Sequence, residues 1–353
     1  MKKIYTLAAL AAMTMLGTSC NSEWEDEQYE HYISFSSQLD SKGVTNIYVP
    51  YSRHDAEGNY AEGGEGRSNY QLPILVSGST DNPSNVTVHV AHDADTLNIL
   101  NYARYATRTE LYYEDMGAEG LAYASYPESL QIKAGENKGL LDLKFDFRNI
   151  DMSEKWVLPL QIVDDASYNY VAHPRKDYAK AILRIFPFND YSGDYSGTGI
   201  TNKVVTGYDG DGKPIETAES ITKSSIRGYV IDEQTIFTYA GIVDEDYTDR
   251  RKYKIKFAFN GETNGSVTIS CDNAEEIGFE LNKDVPPSFR ISSSMDDAKP
   301  YLEHRYVIIN NVDYYFNYIP VEGTIIRYHV KGTLTLSRDI NTQIPDEDQA
   351  IEW

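Results

Sequence analysis

Tyrosine is the side chain best placed to do chemistry in this sequence. There are 29 Tyr against 11 Phe and 3 Trp in 353 residues. A Tyr offers a flat apolar face and a polar tip, which suits stacking on a sugar ring while hydrogen-bonding its hydroxyls. Tyr314, Phe316 and Tyr318 alternate along one stretch and share a strand face, with Tyr306 and Tyr328 on flanking stretches. Tyr306, Tyr314, Tyr318 and Tyr328 are therefore the candidate ligand-binding residues. Half-buried Tyr is also ordinary in a β core, so the surplus, rather than any one position, points to binding.

Other residue patterns carry less. Gly-x-Ser-x-Gly, His-Glu-x-x-His, a Walker loop and Cys-x-x-Cys are all absent. Gly197-Thr198-Gly199 starts like a dinucleotide loop but lacks the third Gly and the helix, and reads as a strand with small residues. His89, His92, Asp93 and Asp95 lie close in sequence, but His89 falls on a strand face and His92 and Asp93 in the following turn, which is poor geometry for a metal. Asp209-Gly210-Asp211-Gly212 is half of a calcium loop without its third oxygen ligand or closing Glu, and reads as a solvated hairpin. Glycoside hydrolysis needs two carboxyl groups at a defined separation; the 54 acids offer many pairs and no spacing that selects one. No catalytic residue, metal or cofactor is expected.

Charge narrows the partners. With 32 Lys plus Arg and 54 Asp plus Glu the net charge is 32 − 54 = −22, which argues against nucleic acid or an anionic membrane surface as the main partner. Two cysteines build neither a disulfide scaffold nor a thiolate zinc site.

The elements that must position these residues are strands. Period-2 alternation dominates, as in Val86, Val88 and Val90 against Thr87 and His89. The first half predicts strands at 31–36, 46–50, 71–77, 85–91, 129–133, 139–147, 156–163 and 178–186, the spacing of a β-sandwich. Residues 57–68, with four Gly, read as a loop, and 94–116, with helix-compatible residues 99–107, as a crossing between sheets. Pro187-Phe188-Asn189-Asp190 marks the boundary. Beyond it, strands are predicted at 193–200, 224–231, 235–242, 253–259, 266–270, 304–310, 314–320, 324–331 and 332–336, joined by hairpin-like turns such as Asn260-Gly261 and Asn310-Asn311-Val312-Asp313. Sequential antiparallel strands suggest an up-and-down barrel, which removes its own edges.

The N-terminus reads as a processing signal. Lys2 and Lys3 precede an apolar stretch at 4–16, too short to span a bilayer, and small residues lead to Cys20. A Cys at that point resembles a bacterial lipobox, although Gly17 stands where a large apolar residue is usual. Cys20 is the expected lipid anchor, leaving Cys271 as the only free thiol. The acidic run Glu23-Trp24-Glu25-Asp26-Glu27 resembles the surface-export signal of Bacteroidetes lipoproteins, and Asp95-Thr96-Leu97 matches the three-residue sequon of their O-glycosylation. The expected organisation is a signal peptide at 1–19, an acidic tether at 20–30, a sandwich at 31–187 and a barrel at 188–353.

Several stretches are familiar together. Leu72-Pro73-Ile74-Leu75-Val76, Val86-Thr87-Val88-His89-Val90, Ile132-Lys133-Ala134-Gly135 and Trp156-Val157-Leu158-Pro159-Leu160 occur in the order of an immunoglobulin-like N-terminal domain of unknown function in Bacteroidetes surface lipoproteins. Phe188-Asn189-Asp190-Tyr191-Ser192-Gly193 and Tyr328-His329-Val330-Lys331-Gly332-Thr333 resemble its C-terminal companion, a lipocalin-like barrel of unknown function. The resemblance implies an all-β chain and an accessory protein of a polysaccharide-utilisation system. Its implied partners are a polysaccharide or oligosaccharide ligand, the outer membrane through the Cys20 lipid, and an outer-membrane transporter complex. The reading is a non-catalytic glycan binder facing the cell exterior. The alternatives are a lipocalin-like binder of a small apolar ligand or lipid, an enzyme with an unrecognised site, and a structural partner of a larger complex.

Overall fold

The computed structural model describes residues 31–37, 40–55, 57–61 and 63–344. Cys20, the acidic tether, Trp24 and Trp353 lie outside the described residues. The chain is all-β. Its N-terminal part is two sheets face to face, and its C-terminal part is a closed antiparallel barrel.

One sheet of the N-terminal part orders Val171–Ala172, Tyr32–Phe35, Arg67–Val76, Lys138–Asp146 and Ala124–Ser125. The other orders Thr45–Pro50, Lys180–Phe188, Lys155–Ile162, Val86–His92 and Ser129–Ile132, with Tyr113–Asp115 added parallel to Lys155–Ile162. Alternating residues such as Val86, Val88, Leu141, Leu143 and Phe145 fill the space between the sheets. Lys155–Ile162 and Lys180–Phe188 are buried almost throughout, because both of their faces are covered. Leu183 and Ile185 point into the sandwich. Ile182, on the opposite face, packs with Val157 against Leu97 of the helix Ala94–Tyr105. That helix starts five residues earlier than the sequence suggests, because the Asp93 carboxylate accepts the Thr96 N–H at 3.1 Å and caps it. Arg67–Val76 likewise reaches into the expected loop.

The barrel has eight strands: Gly193–Ser196 running on into Ile200–Tyr208, then Ser225–Asp232, Thr235–Tyr239, Lys254–Asn260, Asn264–Ser270, Ser288–Met295, Leu302–Tyr318 and Ile326–Asn341. The last strand pairs with both Leu302–Tyr318 and the first, which closes the sheet. Gly197–Gly199 is a 3-10 turn rather than strand. Ser288–Met295 escaped the sequence reading because its Ser-rich outer half is exposed; it is held by pairing with Leu302–Tyr318.

Two of the expected strand pairs are single long strands. Asn310-Asn311-Val312-Asp313 is not a hairpin but a bulge within Leu302–Tyr318. The register shifts between Ile309 and Val312, and Asn311 has φ 60°. A bulge inserts one unpaired residue and reverses the in-and-out parity beyond it. Val307 and Ile309 face the core before it, and Val312, Tyr314 and Phe316 after it. Likewise 324–331 and 332–336 are one strand, Ile326–Asn341, through Gly332 at φ 149°.

The barrel is full. Tyr195, Phe257, Phe259, Phe289, Tyr314 and Phe316 meet inside it. The void bounded by Ile200, Phe257, Tyr314, Val330 and Leu334 is about 10 Å³, room for at most one water. An eight-stranded barrel can be filled by its own side chains or hold one small ligand, and this one is filled. That is the physical objection to a small apolar ligand carried inside.

At Gly332 a Cβ would stand 1.9 Å from the Gly199 carbonyl oxygen, in a backbone conformation that only Gly adopts without strain. Gly332→Ala is expected to cost about 1–3 kcal/mol. The denaturant midpoint of the intact protein would fall at unchanged slope.

Candidate functional site at the domain junction

The two parts meet through buried charge. In the strand Lys180–Phe188, Arg184 and Phe186 lie on the face turned away from the sandwich core and toward the barrel. Phe186 and Met152 join the barrel core, and Val230 of the barrel joins the sandwich core. The loop between Thr235–Tyr239 and Lys254–Asn260 supplies the polar half. Arg250 of that loop, only 1% exposed, donates from Nε to the Ser153 carbonyl at 2.7 Å and from Nη1 to the Glu110 carbonyl at 2.9 Å. Its Nη2 donates to Glu154 at 3.1 Å, and Arg251 bonds the other oxygen of that carboxylate. Lys155 is equally enclosed, pairing with Asp246 at 2.6 Å, its ammonium 5.0 Å from the centre of the Tyr105 ring.

Beside this clamp lies an open cleft of about 360 Å³, within the size range of small-molecule sites, which favour domain interfaces. The sandwich contributes Lys42, Asn46 and Arg184; the barrel contributes Asp194, Lys223, Arg227, Tyr229 and Glu245. Glu245 accepts from Arg184 at 2.6 Å, Lys42 at 3.2 Å and the Tyr229 hydroxyl at 3.2 Å. Asp194 receives Arg227 bidentately, both contacts at 2.7 Å. Both guanidinium groups lie near the Phe186 ring, Arg184 at 4.6 Å and Arg227 at 4.9 Å from its centroid. Burial by itself would raise the Glu245 carboxyl; the charges of Arg184, Lys42 and Lys155 outweigh it and hold Glu245 well below the usual carboxylate range. Burial pushes the Lys223 ammonium below its ordinary value.

The tyrosines expected from sequence do not converge. Tyr314 and Tyr328 are 3% and 5% exposed inside the barrel. The Tyr314 hydroxyl accepts the Gly241 N–H at 3.2 Å, and Tyr328 stacks on Phe316. Both are core residues, which corrects their reading as a ligand platform: no ring face is left for a sugar. Tyr318 is half-buried at one end of the barrel, 5.4 Å from the Tyr247 ring. Tyr306 precedes the bulge, so its side chain points out of the wall where Tyr314 and Tyr318 point in. It pairs with Ser292 and Ser337.

The other sequence candidates disperse as well. His89 stacks on Tyr168 at 4.2 Å, and His92 pairs with Asp115 at 2.8 Å. Asp93 caps the helix and pairs with Lys180 at 2.6 Å. Lys180 also donates to the Thr96 hydroxyl of the glycosylation sequon at 2.6 Å. Asp209 closes its own turn on the Asp211 and Lys213 N–H groups. Cys271 is half-buried. The junction charges went unnoticed in the sequence, though two signals marked them: Arg184 interrupts the apolar run 181–188, and residues 244–254 hold eight charges in eleven positions, of both signs.

The comparisons agree with this architecture. A family described as a domain of unknown function (DUF4973) matches residues 24–166, and a domain described as "-like, C-terminal" matches 179–335. A crystal structure of an auxiliary nutrient binding protein from Bacteroides thetaiotaomicron VPI-5482 is 98% identical, with a TM-score of 0.86 over 92% of this chain and 100% of that one. A multidomain protein including DUF1735 from Bacteroides ovatus is 40% identical, TM-score 0.74, over 91% and 100%. A protein of unknown function from the same species is 33% identical, TM-score 0.72, over 93% and 98%. The chain belongs to the family that these Bacteroides proteins form. The resemblance read from the two sets of motifs is thereby borne out. No curated protein matches the chain. The relatives are named as nutrient-binding or unknown-function proteins, and no enzyme family is among the matches.

Removing the Glu245 charge would leave Arg184 buried beside a neutral amide. Glu245→Gln is expected to lower unfolding stability by about 3–5 kcal/mol at neutral pH. Because the folded Glu245 value is depressed, its contribution is full above the unfolded value of about 4.3 and is lost as pH falls below it. Urea unfolding at pH 7 and pH 3 would show the wild type losing more stability on acidification than the Gln variant.

Proposed function

We propose that this protein is a non-catalytic glycan-capture lipoprotein, held to the outer membrane by an acylated Cys20 and facing the cell exterior, where it concentrates glycan for an outer-membrane transporter. The observation that carries the binding reading is the junction cleft, with planar guanidinium, amide and carboxylate groups around about 360 Å³. Sugars present many hydroxyls in fixed directions, and paired charged side chains donate to and accept from them at once. The name of the 98% identical relative, an auxiliary nutrient binding protein, supports the same reading.

The chemistry of the cleft supports binding without turnover. A glycosidase needs one carboxyl group that can hold a proton to give to the leaving oxygen. Glu245 is kept ionised by its cations, and both oxygens of Asp194 are taken by Arg227.

Affinity electrophoresis of residues 21–353 against a glycan panel, with product analysis, tests this. Retardation by a polysaccharide with no sugar released is expected. Asn46→Ala should weaken that binding about tenfold, the loss of one hydrogen bond to the ligand. Tyr306→Ala, on the outer barrel wall, should leave it unchanged. The reverse pattern would move the site to the tyrosines, and released oligosaccharide would make the protein an enzyme. For the anchor, radiolabelled palmitate should enter the wild type in its native host and not the Cys20→Ala variant; label in both would remove the lipid from the reading.

A further inference from the structure

The charges of the junction cleft are unevenly satisfied. Lys42, Arg184, Lys223 and Arg227 face Asp40, Asp194, Asp244 and Glu245, an even balance in a chain where acids outnumber bases 54 to 32. The acids are occupied. Glu245 holds three donors and Asp194 a bidentate guanidinium. Asp40 accepts the Lys42 and Val44 N–H groups, and Asp244 accepts that of Asp246.

Arg227 and Lys42 are paired in turn with Asp194 and Glu245, but Lys223 is not. Lys223 Nζ makes one hydrogen bond, to the Val243 carbonyl at 2.8 Å. Among the described residues no carboxylate stands within ion-pair distance of it, so two of its N–H donors are open. Asp244 acts on it only from further away. Arg184 is 5% exposed, and its Nε is buried without a hydrogen-bond partner. A half-buried cation with donors left open is costly unless something answers it, and Lys223 lines the cleft.

We infer that the cleft takes an anionic sugar residue, a uronate carboxylate or a sulfate ester, with Lys223 as its ion-pair partner. This rests on the glycan-binding reading above and narrows it. The acidic surface elsewhere is no obstacle at close range, since charges beyond about 8 Å are largely screened at physiological ionic strength. Arg184 stays paired with Glu245. Lys223 supplies the charge.

The test uses residues 21–353 in affinity electrophoresis with polygalacturonate, alginate and chondroitin sulfate, the carboxyl-reduced form of each, and neutral galactan and mannan. Binding of an acidic glycan that falls at least tenfold on carboxyl reduction is expected. Lys223→Met should lose a similar factor for the acidic form and little for the reduced one, with Lys223→Arg restoring binding. Retention of the carboxyl-reduced chondroitin sulfate alone, still dependent on Lys223, assigns the anion to sulfate. Equal binding of reduced polygalacturonate, reduced alginate or a neutral glycan, or indifference to Lys223→Met, overturns the anionic inference and leaves glycan capture intact. Failure of every glycan overturns both.

Discussion

Arg250 directs every nitrogen of its guanidinium into the neighbouring domain, and it does so with 1% of its surface exposed. A buried guanidinium cannot shed its proton, so its environment must provide acceptors in the plane of the fork. Two backbone carbonyls and a carboxylate do so, from Glu110, Ser153 and Glu154. If the barrel rotated against the sandwich, those acceptors would be lost while the charge stayed buried, at a cost of several kcal/mol. Lys155 with Asp246, and Arg184 with Glu245, repeat the arrangement nearby. The mutual orientation of the domains is therefore set by electrostatic satisfaction as well as by the apolar contact of Met152, Phe186 and Val230. The cleft follows from that orientation, since its walls come from both domains.

Neither domain offers an equivalent cavity in its interior among the voids described above. The barrel interior is closed by Phe and Tyr side chains, and the sandwich by Val, Leu and Ile. In a barrel of this size the aromatic content decides whether a cavity remains. Much of the Tyr surplus is consumed there: Tyr195, Tyr229, Tyr239, Tyr253, Tyr314 and Tyr328 are all buried. Of these, the Tyr229 hydroxyl finds Glu245 at the junction and the Tyr253 hydroxyl the Ile319 N–H. Tyr serves here as a large core residue with a polar tip, so its abundance does not by itself mark a binding surface.

The fold was largely legible because strands with one buried face advertise themselves by alternation. The runs around Val86 and Leu141 gave type and facing directly. Where legibility failed, the cause was local. Asn311 at φ 60° carries a bulge that looks like a turn in sequence, and it inverts the facing of Tyr306 relative to Tyr314. The burial of Tyr314 and Tyr328 was illegible for a different reason. A shared strand face can be read from spacing, but whether that face looks into a core or into solvent depends on strands a hundred residues away. Tyr314 faces Val330 across one pair and the packed barrel beyond it.

The sequence by itself determined the class of the protein, the succession of two β domains and the absence of any recognised catalytic motif, because these follow from local periodicity and residue type. It also carried the expectation of a lipid-anchored N-terminus at Cys20 in the same local way. Only the tertiary structure decided that the barrel is closed and full, that Tyr314 and Tyr328 are core, and that Arg184, Arg227, Lys223 and Glu245 share one cleft. Those residues are separated by up to 61 positions, and ion pairing is a matter of distance and burial rather than order along the chain. No periodicity announces which charges will be desolvated together; packing two domains against each other does.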